Sequence, residues 1–144
     1  MITLLVISLA LISVEAKPNV DYDYLIGTGF LAEFGPVMAM ARNGDTIEVM
    51  GEGSFSTKPK TVTGGGTFIH RDEDENVIGE GTWTATKLIT FRSYGSGELQ
   101  GLPEEFEGGR ALMKIHLDPN GEGPEFDGVM RVNCLLGMFR SKEK

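Results

Sequence analysis

The sequence predicts an all-β fold: a single small antiparallel up-and-down β-barrel of seven or eight strands, following an N-terminal signal segment. Three observations carry this expectation. After residue 17 no long stretch combines helical periodicity with capping residues. Turn signals recur about every ten to fifteen residues. Two late segments, Arg110–Asp118 and Val129–Leu136, alternate apolar and polar residues as half-buried strands do.

The apolar run Ile2–Ser13 is short for a bilayer span, which takes about 20 residues, and suits the core of a secretory signal. Ala16 is a small residue at the expected cleavage edge. Residues 1–16 are therefore expected to be removed, which implies a secreted or extracytoplasmic protein with no stable membrane insertion. Residues 17–24 then form a flexible lead, 25–137 the barrel domain, and 138–144 a short basic tail carrying Arg140, Lys142 and Lys144.

Leu25–Leu31 opens the expected sheet. Val37–Ala41 and Thr46–Met50 flank Asn43-Gly44, a dipeptide that supplies the positive φ angles of a tight hairpin. Thr57–Lys60, with Pro59, separates Thr46–Ser56 from Thr61–His70. The polar run Arg71–Asn76 leads into Val77–Thr86, and Leu88–Tyr94 is expected as a further strand. Gln100–Gly108 and Asp118–Asp127 read as loops. In Arg110–Asp118 the residues Ala111, Met113, Ile115 and Leu117 share one face. In the last strand Met130, Val132, Cys134 and Leu136 do. Burial there suits Cys134, a lone thiol in an oxidising setting.

A cassette of glycines followed by an aromatic recurs. Gly51-Glu52-Gly53-Ser54-Phe55 resembles Gly79-Glu80-Gly81-Thr82-Trp83, with looser copies at Gly64–Phe68 and Gly27–Phe30. Placing Ser56 opposite Thr61 and His70 opposite Val77 aligns Gly51, Gly66 and Gly81 in one row. It sets Trp83 in the row of Gly53 and Gly64. Placing Arg42 opposite Asp45 adds Met38 and Met40 to the same face. Glycine weakens a strand interior, so such a row implies tight curvature, room for a large ring, or the floor of a cavity. The opposite face carries Ser54, Thr63, Thr67, Thr82 and Thr84, with interspersed glutamates that suit solvent better than a repeating ligand surface.

The expected shape resembles that of lipocalins, and of plant dirigent proteins and allene oxide cyclases, in outline alone. That resemblance implies an apolar guest.

A net charge of -8 argues against nucleic-acid binding, which needs a basic surface. One Cys and two His leave no metal centre to expect, and no motif implies a cofactor. Asp72–Asn76 begins like a calcium loop but has Val77 where the loop needs glycine, and so reads as a solvated turn. His70 falls at a strand end and His116 on a polar face. No nucleophile elbow, phosphate loop or metalloprotease helix is present.

Three functions fit. The first is an exported binding module taking a small apolar ligand at Phe55, Phe68, Trp83, Met113 and Gly66. The second is a barrel enzyme, a cyclase or isomerase that shapes an apolar substrate, for which an ionisable group such as His70 in the cavity is the discriminating feature. The third is a structural, self-associating protein with a filled core, for which homo-oligomerisation is the mark.

Overall fold

A computed structural model describes residues 21–101 and 106–134. The expected signal segment, the first residues of the expected lead, the end of the expected barrel domain and the basic tail lie outside this range. The chain forms one antiparallel seven-stranded sheet: β1 (Asp21–Ile26), β2 (Val37–Met40), β3 (Thr46–Thr57), β4 (Lys60–Arg71), β5 (Val77–Ser96), β6 (Glu107–Asp118) and β7 (Phe126–Cys134). Short 3₁₀ turns at Gly29–Phe34 and Gly97–Gln100 are the only helical elements among the described residues. The strand expected at Leu25–Leu31 is therefore replaced by β1, whose first residues fall in the expected lead, and by the first of these turns. The strands expected separately at Val77–Thr86 and Leu88–Tyr94 are one continuous β5.

The sheet is open, which corrects the expected barrel. Its order is β1-β3-β4-β5-β6-β7, with β2 also on β3, and among the described residues no pairing joins either first strand to β7. The reason lies in how β1 and β2 are placed. β1 pairs with the Gly51–Ser56 half of β3 and β2 with the Thr46–Val49 half, so both occupy the same edge. The sheet is consequently six strands across, short of the roughly eight that close around a filled interior.

It curls strongly all the same. β5 carries three irregularities against β6, at Ala85/Lys87, Leu88/Thr90 and Ser93/Gly95. Each inserts a residue, and with it the spacing of inward positions changes from two to three. Ala85, Leu88 and Phe91 thereby all face the core, while the added bulges increase coiling. Curling brings Phe91 to the rings of Tyr22 and Phe55, with centroids 4.6 and 4.9 Å apart. The concave face closes on itself through side chains rather than through backbone pairing.

The core lies entirely on that concave face. Phe55, Phe68, Trp83, Leu88, Ala111, Met113, Ile115 and Leu117 are buried there with Tyr24 and Ile26. The alternation expected in β6 holds. In β7, Met130 and Val132 pack against the same cluster.

Candidate functional site

The β3–β4 register has Ser56 opposite Thr61, Gly53 opposite Gly64 and Gly51 opposite Gly66, as the sequence predicts. The β4–β5 register differs. His70 faces Gly79, Phe68 faces Gly81 and Gly66 faces Trp83. Trp83 thus joins the row of Gly51 and Gly66, and Gly81 leaves it. Two local steps cause this. Asp72 pairs with Asn76 across a turn in which its carboxylate accepts from the N–H groups of Asp74 and Asn76. A bulge beyond Arg71 then adds a second one-residue step. Two steps of one residue preserve the inward face, so Trp83 still points into the core.

The glycine rows accommodate two large rings. A β-carbon on Gly51 would stand 2.5 Å from the Trp83 ring, and Trp83 donates its Nε1–H to the Met50 carbonyl at 3.0 Å. β-Carbons on Gly53 and Gly64 would stand 2.5 and 2.4 Å from the Tyr24 hydroxyl, which donates to the Thr63 carbonyl at 2.9 Å. Burial pushes the Tyr24 hydroxyl up to about 12. Gly66 abuts backbone, with the Met50 carbonyl oxygen 1.8 Å from where its β-carbon would lie. Of the residues expected to bind a ligand, Phe55, Phe68, Trp83 and Met113 are brought together in the core, Trp83 at 1% and Met113 at 0% exposure. Gly66 lies beneath them, in register with Trp83.

At β2 the register slips by one residue. Val37 faces Val49 and Met40 faces Thr46, so Ala39 pairs with Ile47 and the inward set is Val37 and Ala39. Met38 and Met40 fall on the other set of alternate positions, which corrects their expected placement. The hairpin explains it. Ala41 and Asp45 bracket a three-residue loop, with Gly44 N–H donating to the Ala41 carbonyl and Ala41 N–H to the Asp45 carbonyl. Within Asn43-Gly44 only Gly44 has positive φ, at 94°. This is a type I turn closed by a glycine bulge, one residue longer than the two-residue turn expected. A one-residue change exchanges the faces of the whole strand.

An open cleft of about 310 Å³ lies at this end of the sheet. Ala39, Met40, Ile47 and Phe126 supply apolar walls, and Asp45 and His70 a polar pair. Phe126 starts β7 and packs edge-on to the buried Phe68 ring, centroids 6.4 Å apart. His70 Nε2 lies 3.2 Å from Asp45 Oδ2. Neither Ile47 nor Phe126 is singled out by sequence reasoning. The signal available was the length of the Arg42-Asn43-Gly44 loop, which sets which β2 residues face inward.

A second cleft, of about 410 Å³, lies on the convex side among Asp21, Asp23, Ser54, Thr61 and Thr63. Its polar groups bond one another: Ser54 donates to Asp23 Oδ1 at 2.6 Å. His116 lies apart from both clefts, with Nδ1 2.9 Å from Asp127 and Nε2 3.0 Å from Glu125. Among the described residues no cluster of three or more His, Cys, Asp and Glu could hold a metal ion, and no helix is long and apolar enough to cross a membrane. Comparison with family models, curated proteins and solved structures finds no match to this chain.

Proposed function

We propose that the protein is an exported binding module that takes a small apolar molecule in the cleft between the β2–β3 hairpin and the start of β7. One observation supports this above the others: the cleft is formed, open and walled by Ala39, Met40, Ile47 and Phe126. Its volume of about 310 Å³ falls at the lower end of ordinary ligand sites. A ligand among Phe55, Phe68, Trp83 and Met113 would require those packed side chains to separate. One in the cleft requires no movement, and rests against Phe126, which Phe68 supports from behind.

The test is a titration of the full-length chain with N-phenyl-1-naphthylamine, an uncharged dye that brightens in apolar surroundings. The expected result is saturable brightening that Ala39→Trp abolishes, since Ala39 is exposed and an indole there fills the cleft. Brightening that survives Ala39→Trp would overturn the cleft as the site.

A second reading, self-association, has its own observation. Val37, Met38 and Met40 are exposed apolar residues on an edge strand that carries no charge.

A further inference from the structure

Asp45, Thr46 and His70 are the polar residues lining the cleft, and the hydrogen-bonded Asp45–His70 pair constrains the occupant. Resting on the binding reading above, we infer that the cleft selects an apolar molecule carrying a single hydrogen-bond donor, a hydroxyl, which His70 Nδ1 accepts.

Asp45 is held in place by the hairpin. Its carbonyl accepts from Ala41 N–H at 2.8 Å, and its own N–H donates to Asn43 Oδ1 at 3.2 Å. Its side chain therefore presents Oδ2 to His70 Nε2 from a fixed position. His70 sits on β4 between Ile47 and Gly79. A carboxylate can only accept, so the hydrogen in this bond belongs to Nε2. In a neutral imidazole the other nitrogen then carries a lone pair and can only accept. Nδ1 has no hydrogen-bond partner among the described residues.

An acceptor on His70, which lines the cleft beside Ala39, Met40, Ile47 and Phe126, discriminates by chemistry. A hydroxyl-bearing ligand satisfies Nδ1 while its apolar body covers the wall. An ether or ketone of the same size offers only a second acceptor, strips water from Nδ1 and leaves it unpaired. The Asp45–His70 pair thus gives an otherwise apolar cleft an acceptor that favours a hydroxyl-bearing occupant.

The experiment compares two isomers, 1-octanol and heptyl methyl ether, at pH 8 on the full-length chain, following backbone amide and imidazole nitrogen resonances. The expected result is octanol binding about tenfold tighter than the ether, the size of one net hydrogen bond. Octanol should shift Nδ1, and the imidazole should be in the Nε2–H form. His70→Phe should abolish the preference for octanol over the ether. His70→Gln, which restores a carbonyl acceptor, should recover part of the octanol advantage. Equal binding of the two isomers, or an Nδ1–H imidazole, would overturn the selection by His70 and leave the apolar cleft standing. No perturbation near Ile47, His70 and Phe126 by either isomer would overturn both.

Discussion

The indole of Trp83 lies against the bare backbone of Gly51, two strands away across β4, so close that a β-carbon at Gly51 would stand 2.5 Å from the ring. The Gly65 carbonyl oxygen would be 2.4 Å from the same atom. Relief therefore needs movement of both a buried ring and a neighbouring strand. Gly51→Ala is expected to destabilise the sheet by about 2–3 kcal/mol, as overpacked cores do. Gly79→Ala is the control, because its β-carbon would meet nothing nearer than 3.9 Å. It should gain about 0.5 kcal/mol through the unfolded state. Urea midpoints of the two variants check this, and equal midpoints would contradict the packing.

That pairing also bears on how much of the fold was legible. The β3–β4 register was legible because two-residue turns leave little freedom: Lys58 and Pro59 alone join Thr57 to Lys60. Inward faces were legible for β6, where Ala111, Met113, Ile115 and Leu117 alternate without interruption. Registers set by longer loops were not. The Asp72 carboxylate organises one turn, and the Gly44 bulge lengthens another, each by a residue that composition does not reveal. The β5 bulges escaped for the same reason: Ala85, Leu88 and Phe91 follow neither period two nor a helical period over enough residues to be recognised. Closure escaped because the sequence does not say that β1 and β2 share one edge of β3. The cleft at Ile47 and Phe126 follows from those same loops, so it was hidden with them.

Tyr24 gives a prediction at alkaline pH. Burial raises its hydroxyl from 10.0 to about 12, because the phenolate would be stranded away from water. A folded value above the unfolded one means that the neutral form stabilises the sheet. That contribution is fully present below pH 10 and is lost as pH rises towards about 12. Absorbance at 295 nm should show Tyr24 ionising only as the sheet unfolds. Tyr24→Phe should reduce this alkaline sensitivity to the share left by Tyr22, whose hydroxyl burial and Glu107 also raise, and at neutral pH lose about 1 kcal/mol with the bond to Thr63. Ionisation assigned to Tyr24, as the difference between the native chain and Tyr24→Phe, near pH 10 with the sheet intact would contradict the buried hydroxyl.

His116 gives one near neutrality, where the charged rather than the neutral form is the stabilising one. Its ring bonds Asp127 through Nδ1 and Glu125 through Nε2, and both bonds can be donated only by the imidazolium. Asp127 first, then Glu125, raises the imidazole above its ordinary 6.5. The tether between β6 and the start of β7 is therefore fully present below pH 6.5 and is lost as pH rises through the raised value. A proton NMR titration should find His116 titrating above 6.5. Asp127→Asn should bring it down further than Glu125→Gln does. Glu125 and Asp127 are exposed, so the effect should shrink with added salt.

The last prediction concerns the edge that β2 presents. Charges stand on the other two edge strands, Asp21 and Asp23 on β1 and Asp127 and Arg131 on β7. β2 has none: Val37, Met38, Ala39 and Met40 pair with β3 on one side and with nothing described on the other. Exposed Phe34 precedes it, at the end of the first 3₁₀ turn. An uncharged, apolar strand edge is a template for a second strand, and natural sheets usually block such edges with a lysine or a proline. Two copies could pair here antiparallel, each adding its Val37–Met40 strand to the other. Sedimentation velocity should then show association that grows with concentration. Met38→Lys should abolish it while leaving the urea midpoint within about 0.5 kcal/mol, since Met38 is 58% exposed and outside the core. The same substitution should leave dye binding in the cleft intact, because Met38 is not among its walls. A chain that stays monomeric at its highest soluble concentration would rule out this edge as a self-association surface. It would leave the cleft as the remaining candidate at this end of the sheet.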